Sequence, residues 1–239
     1  ELSGSVFYER VPFNGSATDE QSFNRREGEY ETVEFDKDSL ENEEMTFGAA
    51  LGGALIQDEL FFFASYEEWE KDVPVTFNPA TLAGHNLTTG QVQSVIDALQ
   101  NTYGISDSIG AAPATDSDKK LLVKLDWNIN DDHRDDLTYS TQENSAAPNY
   151  TNSDGKVNLA SNAWSQDSDT EILTGHPFSD WNADFSTEFN FAYKDYVQAS
   201  NTASNLGEIN VRLDGGTVVA GQDENRHGNE LSNETLSFG

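Results

Sequence analysis

The feature that most constrains the fold is an amphipathic ribbon at Lys119–Glu143. Its first half alternates apolar and polar residues, and the apolar positions are Leu121, Val123, Leu125, Trp127 and Ile129. A period of two places these side chains on one face of a β-strand. A polar turn follows at Asn130–His133, and Leu137 and Tyr139 then resume the alternation. The pattern predicts two long antiparallel strands joined by a tight turn.

The same alternation recurs along the chain and predicts an all-β fold of about eight antiparallel, up-and-down strands. The predicted strands lie near residues 3–10, 45–56, 60–69, 119–129, 135–143, 169–178, 185–197 and 234–239. One short helix is predicted at Thr89–Tyr103, with Thr88 or Thr89 as its N-cap and Gly104 just past its end. Its apolar residues fall at helical spacing and are expected to pack the helix onto its own loop.

The connections between the predicted strands alternate strictly in length. The short ones are Gln57–Glu59, Asn130–His133 and Ser179–Asp184. The long ones are Val11–Glu44, Glu70–Asp118, Asn144–Ser168 and Gln198–Asn233, the last with a small hairpin turning at Asp214-Gly215. This alternation sorts all long loops to one end of the sheet, which is typical of outer-membrane barrels. A soluble sandwich has no reason to sort its loops in this way.

Composition excludes several classes of function. The chain has 239 residues and a net charge of −30, from 43 acidic and 13 basic residues. So acidic a chain repels nucleic acid, and no nucleic-acid partner is expected. It has no cysteine, which excludes disulfides, thiolate metal sites and a cysteine nucleophile. The sequence contains no run of about 18 apolar residues, so no transmembrane helix is predicted.

No catalytic constellation stands out, and no enzymatic activity is predicted. The histidines lie far apart in the sequence, at His85, His133, His176 and His227. Metalloprotease, nucleophile-elbow and phosphate-loop motifs do not occur. Carboxylate pairs carry little information in a chain this acidic.

Calcium is the small ligand considered, because acidic loops provide the oxygen atoms that it prefers. The candidate ligands are Asp116, Asp118, Asn152, Asp154, Asp167 and Asp169. These residues form three pairs, each two positions apart, and none has the full ligand spacing of a calcium loop. The alternative interpretation is that they are solvated acids in turns. No other cofactor is expected.

The tryptophans provide candidate binding or anchoring side chains. Trp127, with Trp69 and Trp181, is assigned to an interfacial aromatic girdle at the strand ends. Trp164 is predicted to lie in a loop, where it could stack against a ligand such as a sugar.

Three segments resemble barrel segments of TonB-dependent outer-membrane receptors, most closely those of the Oar-like branch. They are GGALIQDELFFFASYEEWE at 52–70, KLLVKLDWNINDDHR at 120–134 and SDWNADFSTEFNFAYKDY at 179–196. The helical loop ending in Tyr103-Gly104 is also similar to that branch. The chain departs from the family's pattern at Ala54, at Gln57 and Glu59, and at Asp135-Asp136. Asp135 shares a face with Leu137 and Tyr139, and a charge on a lipid-facing side costs about 2–4 kcal/mol at mid-membrane. We therefore expect Asp135 to lie near the turn, at the membrane interface.

The resemblance implies a segment of a barrel of about 22 strands with a plug domain in its lumen. Residues 1–239 are expected to form the first part of that barrel, with the plug domain and the TonB box absent from them. The implied function is uptake of a large, scarce substrate across the outer membrane of a Gram-negative bacterium. The implied partners are the rest of the barrel, the plug, outer-membrane lipid and, through the plug, TonB.

Two other functions remain open on the sequence alone. A processed receptor fragment could act at the cell surface or extracellularly, assembling through its bare strand edges into a surface layer or filament. A soluble calcium- or carbohydrate-binding β domain is the third interpretation.

Overall fold

The predicted ribbon lies at the centre of a large antiparallel sheet. A computed structural model of the chain describes residues 1–14, 19–24, 28–34, 41–73, 82, 86–109, 114–149, 155–226 and 228–239. The helix is α1 (Thr89–Tyr103). The strands are β1 (Leu2–Asn14), β2 (Asp19–Asn24), β3 (Glu29–Glu34), β4 (Glu41–Ile56), β5 (Leu60–Val73), β6 (Ala114–Asn130), β7 (His133–Asn149), β8 (Lys156–Asn158), β9 (Trp164–Gly175), β10 (Phe178–Asn182), β11 (Phe185–Glu188), β12 (Phe191–Thr202), β13 (Ile209–Leu213), β14 (Gly216–Ala220) and β15 (Glu230–Phe238).

The main sheet has ten strands, eight of which form a path in the order β1-β4-β5-β6-β7-β9-β12-β15. Every neighbouring pair along this path is antiparallel. The sheet is open, with β1 and β15 at its two edges. The prediction of an all-β, up-and-down fold with one short helix is confirmed.

The strands run further than their apolar patterns predict. The prediction that Val11–Glu44 is a loop is wrong, because β1 continues to Asn14, β4 begins at Glu41 and a β2–β3 hairpin lies between them. Similarly, β7 extends through polar residues to Asn149. Polar strand ends pair through their backbones, which a search for alternating apolar side chains does not detect.

The prediction of one strand at 185–197 with a plain turn before it is wrong. Pro177 has no N–H to give to a ladder, and β9 ends just before it, at Gly175. The chain then forms a separate β10–β11 hairpin, which pairs with the turn end of β7. Only the later part of the predicted strand, β12, lies on the eight-strand path of the main sheet. The third short connection is therefore a small hairpin.

Three of the long connections fold together into a lobe at one end of the sheet. This loop lobe comprises Leu82 and residues 86–109, 155–163 and 203–226. Its sheet has the order β13-β14-β8, with β14 parallel to β8, and α1 packs against it. The helix and the hairpin at Asp214-Gly215 are confirmed. The prediction that Asn144–Ser168 is only a loop is wrong, because it contains β8 and the start of β9.

Local signals define α1 at both ends. The Thr88 hydroxyl accepts a hydrogen bond from the Gln91 backbone N–H at 3.3 Å, and the Gln91 side chain accepts one from the Thr88 N–H at 2.8 Å. This capping box satisfies two of the otherwise unpaired donors at the helix start. Gly104 ends the helix with a φ of +71°, the left-handed conformation that glycine adopts at least cost.

A polar junction joins the three connections of the loop lobe. The Ser161 N–H donates to an Asp107 carboxylate oxygen at 3.0 Å, and the Gly221 N–H donates to the Ser161 hydroxyl at 2.7 Å. Asn162, which is buried, donates to the Gly221 carbonyl at 2.9 Å. Each connection is thus tied to the next by hydrogen bonds, which hold the lobe as one unit.

Candidate functional surfaces

The main sheet has one face with an uncharged band that crosses all eight strands. Two rows of cross-strand neighbours form this band. One row is Leu2, Gly53, Phe62, Leu125, Leu137, Gly175, Phe191 and Phe238; the other is Gly4, Leu51, Ala64, Val123, Tyr139, Leu173, Tyr193 and Leu236. Neither row contains a lysine, arginine, histidine, aspartate or glutamate. We call this side of the sheet the apolar face.

The apolar face is exposed, whereas the buried core of the described residues lies in the loop lobe. On the edge strands Val6 is 73% exposed and Leu236 59%, and in the middle of the sheet Leu125 is 36% exposed and Tyr139 37%. The buried apolar residues are Leu82, Leu87, Val92, Val95, Ile96, Leu99, Val157, Leu159, Ala163, Val218, Val219 and Ala220. A contiguous apolar surface of this extent marks a region that another phase or partner covers.

Charged side chains limit the band at the end near the loop lobe. Glu68 lies there, where it accepts a hydrogen bond from the Tyr66 hydroxyl at 2.9 Å and pairs with Lys119 at 3.2 Å. On β1 the uncharged residues of this face continue to Tyr8, which is level with Glu68. On β9 and β12 charges begin one row sooner, at Glu171 and Asp195.

The band is therefore slanted relative to the hydrogen-bonded rows. Strands that tilt against a flat apolar layer meet its boundary at successively shifted positions. The strands of transmembrane barrels are tilted by about 35–45°, so a slanted apolar band is expected of them.

Beyond the band, an ion pair joins the far ends of β1 and β4. Arg10 contacts Glu43 through both guanidinium branches, with 2.6 Å between Nη2 and Oε2. This hydrogen bonding favours the ionised carboxylate, so it lowers the pKa of Glu43 and raises that of Arg10.

At the turn end, aromatic side chains and a carboxylate limit the band. Trp127 and Asp135 are direct cross-strand neighbours on the apolar face, and Trp127 is 44% exposed. Asp135 thus lies beside the turn, where the sequence predicted it. Trp181 also lies at this end, packed against His133 with 5.1 Å between ring centroids. The assignment of Trp69 to the same girdle is wrong, because it lies on the opposite face and donates to Glu44 at 2.8 Å.

The opposite face of the sheet, here called the polar face, carries charged and hydroxyl side chains among apolar ones and encloses a hollow of about 400 Å³. Residues of six neighbouring strands line it, so the sheet curves around this side. The polar-face side chains in the lining are Ser5, Phe7, Ala50, Ser65, Glu67, Lys120, Leu122, Ser140, Gln142, Thr170 and Ile172. On the apolar face, small residues such as Gly4, Ala49 and Ala64 leave a shallower depression over fewer strands.

Several charges of the polar face are paired with one another. Lys120 lies 3.3 Å from Glu67 and 3.5 Å from Asp118, and Lys124 lies 2.7 Å from Asp126. Gln142 also donates to Asp118 at 2.7 Å. Such a surface presents alternating charges and hydrogen-bonding groups to water and to a polar solute.

The candidate calcium ligands are not brought together. Asp116 and Asp118 lie on β6 and face the polar side, whereas Asp167 and Asp169 lie on β9 and face the other side. Asp167 accepts hydrogen bonds from Ser145 at 2.6 Å and from Asn201 at 2.5 Å. Asn152 and Asp154 are outside the described residues. Among the described residues no group of three or more acidic or histidine side chains has the geometry of a metal site. Calcium binding stays a prediction.

Trp164 begins β9, so its predicted location in a loop is wrong. The Arg226 guanidinium lies over its ring at 4.0 Å from the centroid, a cation–π contact. A ligand that stacked on this side of the ring would have to displace Arg226. Of the histidines, His85 and His227 are outside the described residues, and His176 contacts Asp136 at 2.9 Å.

The sequence predicted the helix and the hairpin but not the groove that they form. This groove, of about 630 Å³, lies between α1 and β13. Its floor comes from alternate β13 residues, Ile209, Val211 and Leu213. The alternation was visible in the sequence, but the packing of the hairpin against a helix over 100 positions away was not.

Comparison with known proteins gives no assignment. No protein-family model matches the chain, and no curated protein and no solved structure is significantly similar to it. No helix among the described residues is long and apolar enough to span a membrane. Any functional interpretation therefore rests on the two faces of the sheet and on the loop lobe.

Proposed function

We propose that this chain is a wall segment of an outer-membrane transporter of the TonB-dependent receptor type. The observation that carries the proposal is the uncharged band across all eight strands, whose side chains are exposed or half-exposed. The buried core of the described residues lies elsewhere, in the loop lobe. Hydrocarbon covers such a band without cost, whereas water does not. The slant of the band, the aromatic residues at its turn end and the polar concave face also support a tilted barrel wall.

The two sheet edges define what else the proposal requires. In lipid, the open backbone groups of β1 and β15 must be paired, since unpaired groups there cost several kcal/mol each. Further strands outside this chain would pair with both edges and close the barrel. The hollow on the polar face would then face the lumen, where a plug domain would fill it.

The loop lobe and the other long connections would form the extracellular side. Substrate capture and gating are assigned to the connections between β1 and β4, between β5 and β6, between β7 and β9, and between β12 and β15. The substrate would be large and scarce, and energy would come from TonB acting on a plug outside this chain. In this division of roles the eight strands form the wall and a share of the polar pathway.

The test is reconstitution of the full 239-residue chain. We expect it to need detergent for solubility and to float with phospholipid vesicles in a density gradient, because the apolar face needs an apolar phase even where the barrel is not closed. A chain that is monodisperse without detergent and does not float with vesicles would contradict the proposal.

A second candidate function is assembly through the strand edges. The specific observation is that β1, with 13 residues, and β15, with 9, have no partner on their outer sides among the described residues. Open edges of this length are templates for pairing with another chain. Ordered fibres formed by detergent-free protein, with no vesicle binding, would favour a surface layer or filament over the transporter.

A further inference from the structure

The groove on the loop lobe has an apolar lining and a regular shape. β13 contributes Ile209, Val211 and Leu213, which all point to the same side, and one flank of α1 contributes Val95, Ala98 and Leu99. Leu99 is buried, whereas Ala98 is exposed at the rim of the groove. The apolar surface of the groove therefore continues the buried core of the loop lobe, and α1 leaves this surface uncovered along β13.

The strand beside the groove has an open hydrogen-bonding edge. β13 is an end strand of the order β13-β14-β8, and no other strand of the described residues pairs with it. The two-residue turn makes Leu213 and Gly216 a hydrogen-bonded pair, and such pairs then alternate along an antiparallel ladder. Consequently, the backbone N–H and C=O groups of Asn210 and Arg212 point away from β14, toward the open side.

The dimensions of the groove fit a short extended segment. Five residues of β13 span about 16 Å at the rise of a β-strand. The helix flank from Gln91 to Tyr103 runs beside them for about 18 Å at the rise of an α-helix. An added strand of about five residues would pair with the open edge and direct every second side chain into the apolar groove.

The charge around β13 indicates the ends of such a segment. Glu208 precedes the strand and Asp214 follows it, and the Asn210 side chain donates to Glu208 at 2.6 Å. The whole chain carries a net charge of −30, which attracts cationic ligands over a long range. Basic residues at the two ends of a bound segment would meet carboxylates.

We propose that this groove binds an extended peptide, which adds to β13 as a further strand. Alternate apolar side chains of the peptide enter the groove, and basic residues flank them. The proposal goes beyond membrane transport and does not depend on it, since residues of the loop lobe alone form the groove. Failure of vesicle binding would leave it intact, and its own failure would leave the barrel proposal intact.

Fluorescence anisotropy with a labelled synthetic peptide tests this proposal on the full chain. The probe is Lys-Val-Ser-Val-Ser-Val-Lys, and two further versions carry N-methyl groups at alternate residues, one in each register. The unmodified probe is expected to bind saturably. Only every second N–H of the peptide can face β13, so we expect one methylated version to retain binding and the other to lose it. A peptide with glutamate in place of lysine is expected to bind at least about tenfold more weakly, a difference of about 1.4 kcal/mol.

Matched variants locate the binding site. Asn210→Pro removes an outward N–H and obstructs the edge, whereas Asn210→Ala keeps the N–H and leaves the edge open. The fold is expected to accept the proline, because proline is tolerated at edge strands. Ala98→Glu places a charge at the groove rim, whereas Gln93→Glu places the same charge on an exposed helix position outside the groove lining. We expect Asn210→Pro and Ala98→Glu to weaken binding by about tenfold or more and both controls to leave it unchanged.

Two results would overturn the proposal. One is the absence of saturable peptide binding by a protein whose loop lobe is folded, as shown by protection of the α1 amides from hydrogen exchange. The other is equal binding by Ala98→Glu and Gln93→Glu, which remains decisive even where Asn210→Pro does not fold.

Discussion

The ring of Phe7 covers the backbone of Gly48 on the neighbouring strand. The two residues are direct cross-strand neighbours of β1 and β4, and a Cβ at position 48 would lie within contact of the ring atoms. An aromatic ring over a glycine on the adjacent strand pins strand register and covers the bare backbone. Here it fixes the edge strand β1 onto the sheet and forms one side of the hollow on the polar face.

We expect Gly48→Ala to lower the free energy of unfolding by about 1–3 kcal/mol, because the new methyl group must push the ring away. Urea denaturation measures this loss. Gly90→Ala is the control, since no atom lies within 4 Å of its added Cβ and it falls in the first turn of α1. Alanine is the better helix former by about 1 kcal/mol, so this variant is expected to stabilise the protein slightly.

The double variant shows whether the Phe7 ring is the cause. In a Phe7→Ala background, Gly48→Ala is expected to cost much less, with a coupling energy of about 0.5–3 kcal/mol between the two positions. An unchanged cost in that background would mean that β4 backbone strain, rather than the ring, opposes a side chain at position 48.

Val123 and Leu122 are adjacent on β6 but lie on opposite faces, which makes them a matched pair. An arginine in the middle of a lipid-facing band costs about 2–4 kcal/mol, whereas one on the lumen side costs little. Val123→Arg is therefore expected to abolish flotation with vesicles, and Leu122→Arg to preserve it. Equal loss in both variants, or equal retention, would contradict the assignment of the apolar face to lipid.

Trp127 and Trp69 provide an optical test of the same assignment. Variants that keep one of these tryptophans and replace the other three by phenylalanine are compared in vesicles that contain brominated lipids. Trp127, on the apolar face near the turn end, is expected to be quenched most by bromine near the headgroups. Trp69, on the polar face beside Glu44, is expected to be quenched weakly at every depth. Strong quenching of Trp69 would reverse the two faces.

The parts of the fold that local patterns determine could be predicted from the sequence. The period of two along Leu121–Ile129 identified a strand and its apolar face, and Thr88 and Gly104 marked the helix ends through capping. The strand core of the sheet and its order followed from the same patterns. These features depend on residues close together in the chain, so a single sequence contains them.

The parts that long-range contacts determine could not be predicted. β8 has only three residues, and its parallel pairing with β14 depends on tertiary packing of Val157 and Val218. Polar strand ends such as the last residues of β7 exist because a neighbour offers backbone partners. The groove beside β13 arises only when a hairpin meets a helix from another connection, and no local pattern indicates that meeting.

The hydroxyl of Thr88 is expected to stabilise α1 and, with it, the loop lobe. Thr88→Ala removes the acceptor of the capping box and is expected to cost about 1 kcal/mol. Thr88→Ser keeps the hydroxyl and is expected to cost little. Hydrogen exchange of the α1 amides measures the effect on the lobe alone, and exchange in the centre of β6 is the internal reference. Equal change in both regions would mean that the lobe and the sheet unfold together.

The pair between Arg10 and Glu43 gives a pH dependence whose direction follows from the lowered pKa of Glu43. A carboxyl whose folded pKa lies below its unfolded value contributes stability above the unfolded pKa and loses it as the pH falls through the folded pKa. The ordinary value is 4.5, so the contribution is expected to be full at neutral pH and lost in the acid range below 4.5. NMR titration of the Glu43 side chain measures the shift directly. Arg10→Gln is expected to return the pKa toward its ordinary value, whereas Glu9→Gln, on the other face of β1, is expected to leave it low. A Glu43 pKa that does not respond to Arg10→Gln would show that the ion pair is not populated in solution.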